Sequence, residues 1–120
     1  MILSSVLAAG LTIATCPSEI TDKQELVTKE SGWSHRVMKG SRQLTQVSVF
    51  IGSVADSAEI HPTRIGDGEV SWILAPDVDH TMECRYENSA VVIEVRIGKP
   101  ESCSFRRVSS DRRRASVECR

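Results

Sequence analysis

Cys16, Cys84, Cys103 and Cys119, the histidines His35, His61 and His80, and the acidic segment Pro76-Asp77-Val78-Asp79-His80 hold most of the reactive chemistry in this 120-residue chain. A zinc site needs thiolates or imidazoles at short, clustered spacings, and the sequence has no C-x-x-C or H-x-x-x-H pair. Nucleophilic catalysis needs a hydroxyl or thiol beside a base, yet there is no G-x-S-x-G elbow, no H-E-x-x-H and no glycine-rich phosphate loop. A catalytic thiolate would have to stay unpaired, and an even cysteine count favours pairing. These residues predict a protein that is not an enzyme and that uses no cofactor or metal. In residues 76–80, two carboxylates and an imidazole stand just before a strand, which suits insertion into a basic cleft or contact with a cation. Asp77, Asp79 and His80 are therefore candidate partner-binding residues. Trp33, which follows Ser31-Gly32, is a fourth, because an exposed tryptophan makes a strong interface anchor. Trp72 lies in an alternating run and reads as core.

The elements that position these residues follow an apolar start. Residues 1–15 read MILSSVLAAGLTIAT, an uncharged run too short to cross a bilayer of roughly 30 Å and of the length of a signal-peptide hydrophobic region. Thr12 and Ala14 are small enough for the −3 and −1 positions of a signal-peptidase site, so the reading is an exported protein with a leader over 1–15 and one domain over 16–120. No stable membrane insertion is expected once the leader is cut. A lipoprotein is the competing reading, since Ile13-Ala14-Thr15-Cys16 resembles the box before a lipidated cysteine. Thr15 stands where Gly or Ala is usual, and lipidating Cys16 would leave three thiols, which cannot all pair internally.

The remaining length suits a single core. Small domains bury a smaller share of their surface, so covalent staples matter more to them. The net charge of −1 argues against a nucleic-acid binder held by broad phosphate neutralisation. The run Arg112-Arg113-Arg114 reads as a solvated hairpin tip. Two Trp, two Phe and one Tyr give little stacking surface for single strands.

No segment carries apolar residues at helical spacing for three turns, whereas alternating runs rich in Val and Ile recur. Residues 44–51 place Thr45, Val47, Val49 and Ile51 on one face, and residues 69–75 place Val70, Trp72 and Leu74 on one face. Strands are expected at 81–86, 90–97, 103–109 and 114–119 as a meander, with two more at 24–28 and 33–38 around Ser31-Gly32. A short helical turn fits the 53–67 connection. The predicted fold is all-β: a small antiparallel meander or sandwich, or a partly open barrel, stapled by two disulfides.

If 103–109 and 114–119 form a hairpin centred near Asp111, Cys103 faces Cys119, and facing cysteines at a non-hydrogen-bonded position can bridge. That leaves Cys16 for Cys84. Three connectivities are formally possible, and this one is expected.

The order of landmarks is Cys16-Pro17 after the leader, Trp33, Val49-Phe50-Ile51-Gly52, Glu59-Ile60-His61-Pro62, Trp72, Cys84-Arg85-Tyr86, Cys103 and Cys119. It resembles a family of small exported bacterial proteins that begin with Cys-Pro and carry a C-x-Y strand. Members look like periplasmic immunity proteins of type VI secretion systems. The resemblance implies a periplasmic protein whose partner is a cognate effector, a peptidoglycan-targeting enzyme blocked by occlusion of its active site. Cys16, Cys84, Tyr86, Cys103 and Cys119 carry over as framework positions. Two other readings share the same scaffold: a lysozyme-inhibitor-like defence protein, and an envelope-associated structural module with no enzyme partner.

Overall fold

The computed structural model describes residues 13–107 and 115–120. These residues build nine strands and one 3-10 turn: β1 Glu19–Lys23, β2 Lys39–Ile51, the turn Val54–Asp56, β3 Glu59–Ile60, β4 Arg64–Gly66, β5 Glu69–Ile73, β6 His80–Tyr86, β7 Val92–Gly98, β8 Ser102–Arg107 and β9 Ala115–Cys119. All pairings are antiparallel. One curled sheet has the order β1-β2-β6-β7, with β3 beside the far end of β2; the other has the order β4-β5-β8-β9.

β2 is the spine of the first sheet because it is long enough to pair twice along one side. Its first residues take β1 and its last take β3, while β6 lines its other side. An extra residue at Thr45 separates the Leu44↔Tyr86 and Gln46↔Arg85 pairs. This bulge resets the alternation, so Leu44 and Val47 both face the core although they are three residues apart. The Thr45 hydroxyl donates to the Arg85 carbonyl at 3.2 Å, and the Thr45 carbonyl accepts from Arg107 on β8 at 2.7 Å. The bulge thereby ties the two sheets together. The simple alternation through Thr45 and Ile51 fails at both positions: Thr45 is the bulged residue, and Ile51 is exposed where β2 ends.

Between the sheets lie Val47, Val49, Met82, Cys84 and Ile97 from one side and Trp72, Leu74, Cys103, Phe105 and Val117 from the other. Trp72 and Leu74 are inward-facing residues of the alternating run, whereas their neighbour Ile73 faces out. Fully burying side chains of this size stabilises the fold by about 1.5–3 kcal/mol each.

Both disulfides form, Cys16–Cys84 and Cys103–Cys119. Ser102 and Arg120 exchange backbone hydrogen bonds, so the adjoining Cys103↔Cys119 pair is a non-bonded one, with Cα atoms 4.0 Å apart. The 68-residue separation of the first bond is worth about 4 kcal/mol in the chain-entropy model and the 16-residue separation of the second about 3 kcal/mol.

The expected meander after residue 81 divides in two. β6 pairs with β7 and β8 with β9, but β7 and β8 belong to different sheets. At Gly98 (φ 72°) the chain leaves the first sheet, and the Glu101 carbonyl accepts from Leu74 N–H while the Glu101 N–H donates to the Arg120 carbonyl. Those bonds carry the crossing into the second sheet. The strands expected at 24–28 and 33–38 are absent. Pairing occurs just outside them, between Glu19–Lys23 and residues 39–43, with the loop tip still near Ser31-Gly32. The expected helical turn in the 53–67 connection is the 3-10 turn, where the Ser53 and Asp56 side chains bond.

Of the apolar start, only residues 13–15 lie within the description. Ile13 packs against the core, and the Thr15 hydroxyl donates to the Val117 carbonyl at 3.0 Å. The expected turn around Asp111 and the run Arg112-Arg113-Arg114 lie outside the described residues.

Candidate functional site

The candidate partner-binding residues fall at opposite ends of the first sheet. β2 and β6 run antiparallel, so residues 24–38 emerge at the end where β6 finishes, and residues 76–79 lie at the end where it begins. Along β2 alone the two ends are about 40 Å apart. Trp33 and the acidic segment therefore cannot share one compact surface.

At the first end, residues 24–38 form a long loop between two paired stems. Its tip is a turn in which Trp33 N–H donates to the Glu30 carbonyl at 3.1 Å, and Gly32 takes φ 88°, a conformation that favours glycine. Trp33 is 60% exposed, with Val27 at 90% and Met38 at 66%. The charges around these apolar groups, Lys29, Glu30, Arg36 and Lys39 among them, are exposed and of both signs.

The stems of this loop are held from several directions. Cys16 is bonded to Cys84, and the Tyr86 hydroxyl donates to the Pro17 carbonyl at 2.8 Å. The buried Asp22 carboxylate accepts from Arg42 Nε at 2.9 Å and from the Ser89 hydroxyl, which ties the β1–β2 stem to the β6–β7 turn. The Ser89 hydroxyl and then the Arg42 guanidinium hold the Asp22 carboxyl below its ordinary value. The Gln24 side chain adds a bond to the Asn88 carbonyl at 3.2 Å. A shallow concavity of about 530 Å³ lies at the loop base, lined by Lys23, Gln24, Glu25, Val37, Ala90 and Val91.

At the other end, Asp77 and Asp79 are exposed as expected, but His80 is not a surface residue: it is 1% exposed. β6 begins one residue earlier than the sequence suggested, so His80 points inward in phase with Met82 and Cys84. Its Nδ1 lies 3.2 Å from the Gly98 carbonyl, and Nε2 is shielded and without a partner among the described residues. His80 also borders an open concavity of about 520 Å³ with Ser53, Asp79, Thr81 and Arg96. The Ser53 hydroxyl donates to Asp56 and the Thr81 hydroxyl to the Gly52 carbonyl, so neither is directed at the imidazole. His35 and His61 are exposed. Among the described residues no group of three His, Cys, Asp or Glu side chains gathers to hold a metal.

Sequence reasoning named Trp33, which the structure exposes, but passed over Val27 and Met38, although all three lie in stretches it read as strands. For His80 the signal was present: His80, Met82, Cys84 and Tyr86 share one period-two face.

Compared with known proteins, the chain matches no family model, no curated protein and no solved structure. The two disulfides fit an oxidising compartment, extracellular or periplasmic. Among the described residues no helix is long and apolar enough to cross a membrane.

Proposed function

We propose that this protein is a periplasmic immunity protein that binds a cell-wall-targeting type VI secretion effector and blocks it by occluding its active site. The observation that carries this reading is the exposed Trp33 at the tip of a loop whose stems are fixed by a disulfide and a half-buried ion pair. Occlusion needs no catalytic group on the inhibitor. It needs an apolar anchor that fills a pocket, and a frame that holds the anchor in its bound shape beforehand, which lowers the ordering cost of association. Val27 and Met38 widen the apolar surface beside Trp33, and the surrounding charges of both signs suit a polar rim. The second end contributes Asp77 and Asp79, which lie too far away to join the same compact interface.

The test is co-expression in the periplasm with a cell-wall-targeting effector, beginning with any that is encoded next to this protein. Cells that survive the effector only when this protein is exported, together with recovery of a stable complex from periplasm, support immunity. Equal killing with and without the protein removes it. Capture of a lysozyme in place of the effector would turn the reading to a defence inhibitor.

A further inference from the structure

β7 is the outer strand of the first sheet, and among the described residues nothing pairs with its free side. Natural edges are often blunted by charge, proline or a bulge. β7 is bulged near its end, where Ile97 lies between the Arg96↔Thr81 and Gly98↔His80 pairs, but its charges are of opposite sign two residues apart: Glu94 and Arg96 are both exposed, and neither joins an ion pair among the described residues. Inside the sheet, Glu94 stands directly opposite another acid, Glu83. Like charges at facing positions destabilise a sheet, and Glu83 is already engaged by Arg85 at 3.0 Å. Glu94 therefore favours a cation on its other side.

The direction of the free backbone groups follows from bonds further in. Gly52 N–H donates to the Asp79 carbonyl in the same register that pairs Ile51 with His80 and Val47 with Cys84. Bonded and non-bonded pairs alternate along an antiparallel ladder, so Thr81 and Glu83 turn their backbone groups toward β2. Met82 and Cys84 turn theirs toward β7, where they face Val95 and Ile93. Val92, Glu94 and Arg96 are left with N–H and C=O groups directed off the sheet.

We infer that the free edge of β7 is a self-association surface, at which a second copy of this chain pairs antiparallel about Val95. In that register Glu94 of each copy stands opposite Arg96 of the other. Both residues of each such pair have outward backbone groups, so the ladder bonds and the charges are satisfied together. Sliding either copy by two residues sets Glu94 against Glu94 or Arg96 against Arg96, and a one-residue slide puts the backbone out of phase. Charge and hydrogen bonding thus select one register and one occupant.

Sedimentation equilibrium of the disulfide-bonded protein from about 1 µM to about 500 µM is expected to show a monomer–dimer equilibrium. Glu94→Arg and Arg96→Glu each set like charges opposite one another twice, and each is expected to weaken the dimer about tenfold or more. The combined exchange restores opposite charges, and with them the dimer, to within about threefold of the original. Glu94→Arg also places an arginine opposite Glu83 inside the sheet, so loss of folding is not the expected cause of a weaker dimer. Hydrogen exchange gives a second readout: the Glu94 and Arg96 amides gain protection as concentration rises, while those of Ile93 and Val95 are protected throughout. A monomer across the whole range, or single and combined variants that dimerise alike, would overturn the inference. Protection of Glu94 and Arg96 that appears only on adding a different protein would also overturn it, assigning the edge to that protein.

Discussion

The two tryptophans show how differently one short chain treats its large apolar groups. Trp72 lies on β5, 2% exposed between two sheets; Trp33 tips a loop, 60% exposed, over stems that are pinned by bonds but offer it no core to enter. Large apolar groups inside a sandwich are explained by the fold. One held outside it, on a braced loop, is not explained by the fold. Under the proposed function the body and the loop divide the work: the first supplies rigidity, the second contact.

The largest effect that would sharpen this contrast is Trp72→Ala, expected to cost about 3–5 kcal/mol of stability by opening a cavity between the sheets. Chemical denaturation reads it directly, and a loss below about 1 kcal/mol would break the assignment of Trp72 to the core. Replacing Cys16 and Cys84 together by Ser is expected to cost about 4 kcal/mol, against about 3 kcal/mol for Cys103 with Cys119. The two differ in consequence as well as in size. Only the first pair braces the stems of the Trp33 loop, so only its removal should also raise proteolytic nicking within residues 24–38. Equal nicking in both variants would separate the disulfide from the loop.

Smaller effects are expected from charge. Asp77→Ala with Asp79→Ala should leave the melting temperature nearly unchanged, because both side chains are exposed. Under the proposed function their removal should also leave effector affinity within about threefold, since a site at the far end of the sheet lies outside the proposed Trp33 interface. A larger loss would move the contact surface to that end. Asp22 gives the smallest. Its carboxyl is held below the ordinary value of 3.8, so its contribution to folding is complete above that value and is lost as pH falls through the lower, folded value. Asp22→Asn should therefore flatten the acid limb of the stability curve while leaving its neutral side with the same slope. An unchanged acid limb would show that the Asp22–Arg42–Ser89 link does not brace the stem.

Much of the body was legible in the sequence because its signals are local and repeated. Val70, Trp72 and Leu74 alternate cleanly, and the spacing of Cys103 and Cys119 already suggested the facing pair that β8 and β9 make. What escaped depends on pairing across the molecule. β1 is a five-residue edge strand with one buried residue, Asp22, and carries no apolar alternation that would set it apart from residues 24–28. Gly98-Lys99-Pro100-Glu101 has the composition of a hairpin turn, yet Leu74 and Arg120 draw it into the second sheet. The Thr45 bulge leaves no mark in composition either, since it follows from how Leu44 and Gln46 meet β6.

At the candidate site, Trp33 was named from its place after Ser31-Gly32, but its exposure was not legible, because residues 33–38 read equally well as a strand. The burial of His80 turned on where β6 begins, a boundary that one residue decides. The separation of Trp33 from Asp77 and Asp79 rests on the antiparallel course of β2 and β6, which no local pattern encodes.

Calorimetric titration of the proposed partner, a cell-wall-targeting effector, with the disulfide-bonded protein, as wild type and as Trp33→Ala, tests the division between body and loop most directly. The expected result is one effector bound per protomer, an affinity loss of about 2 kcal/mol or more for Trp33→Ala, and a melting temperature that does not move. Equal affinity for both proteins, or a variant that loses binding only because it has lost its fold, would contradict it.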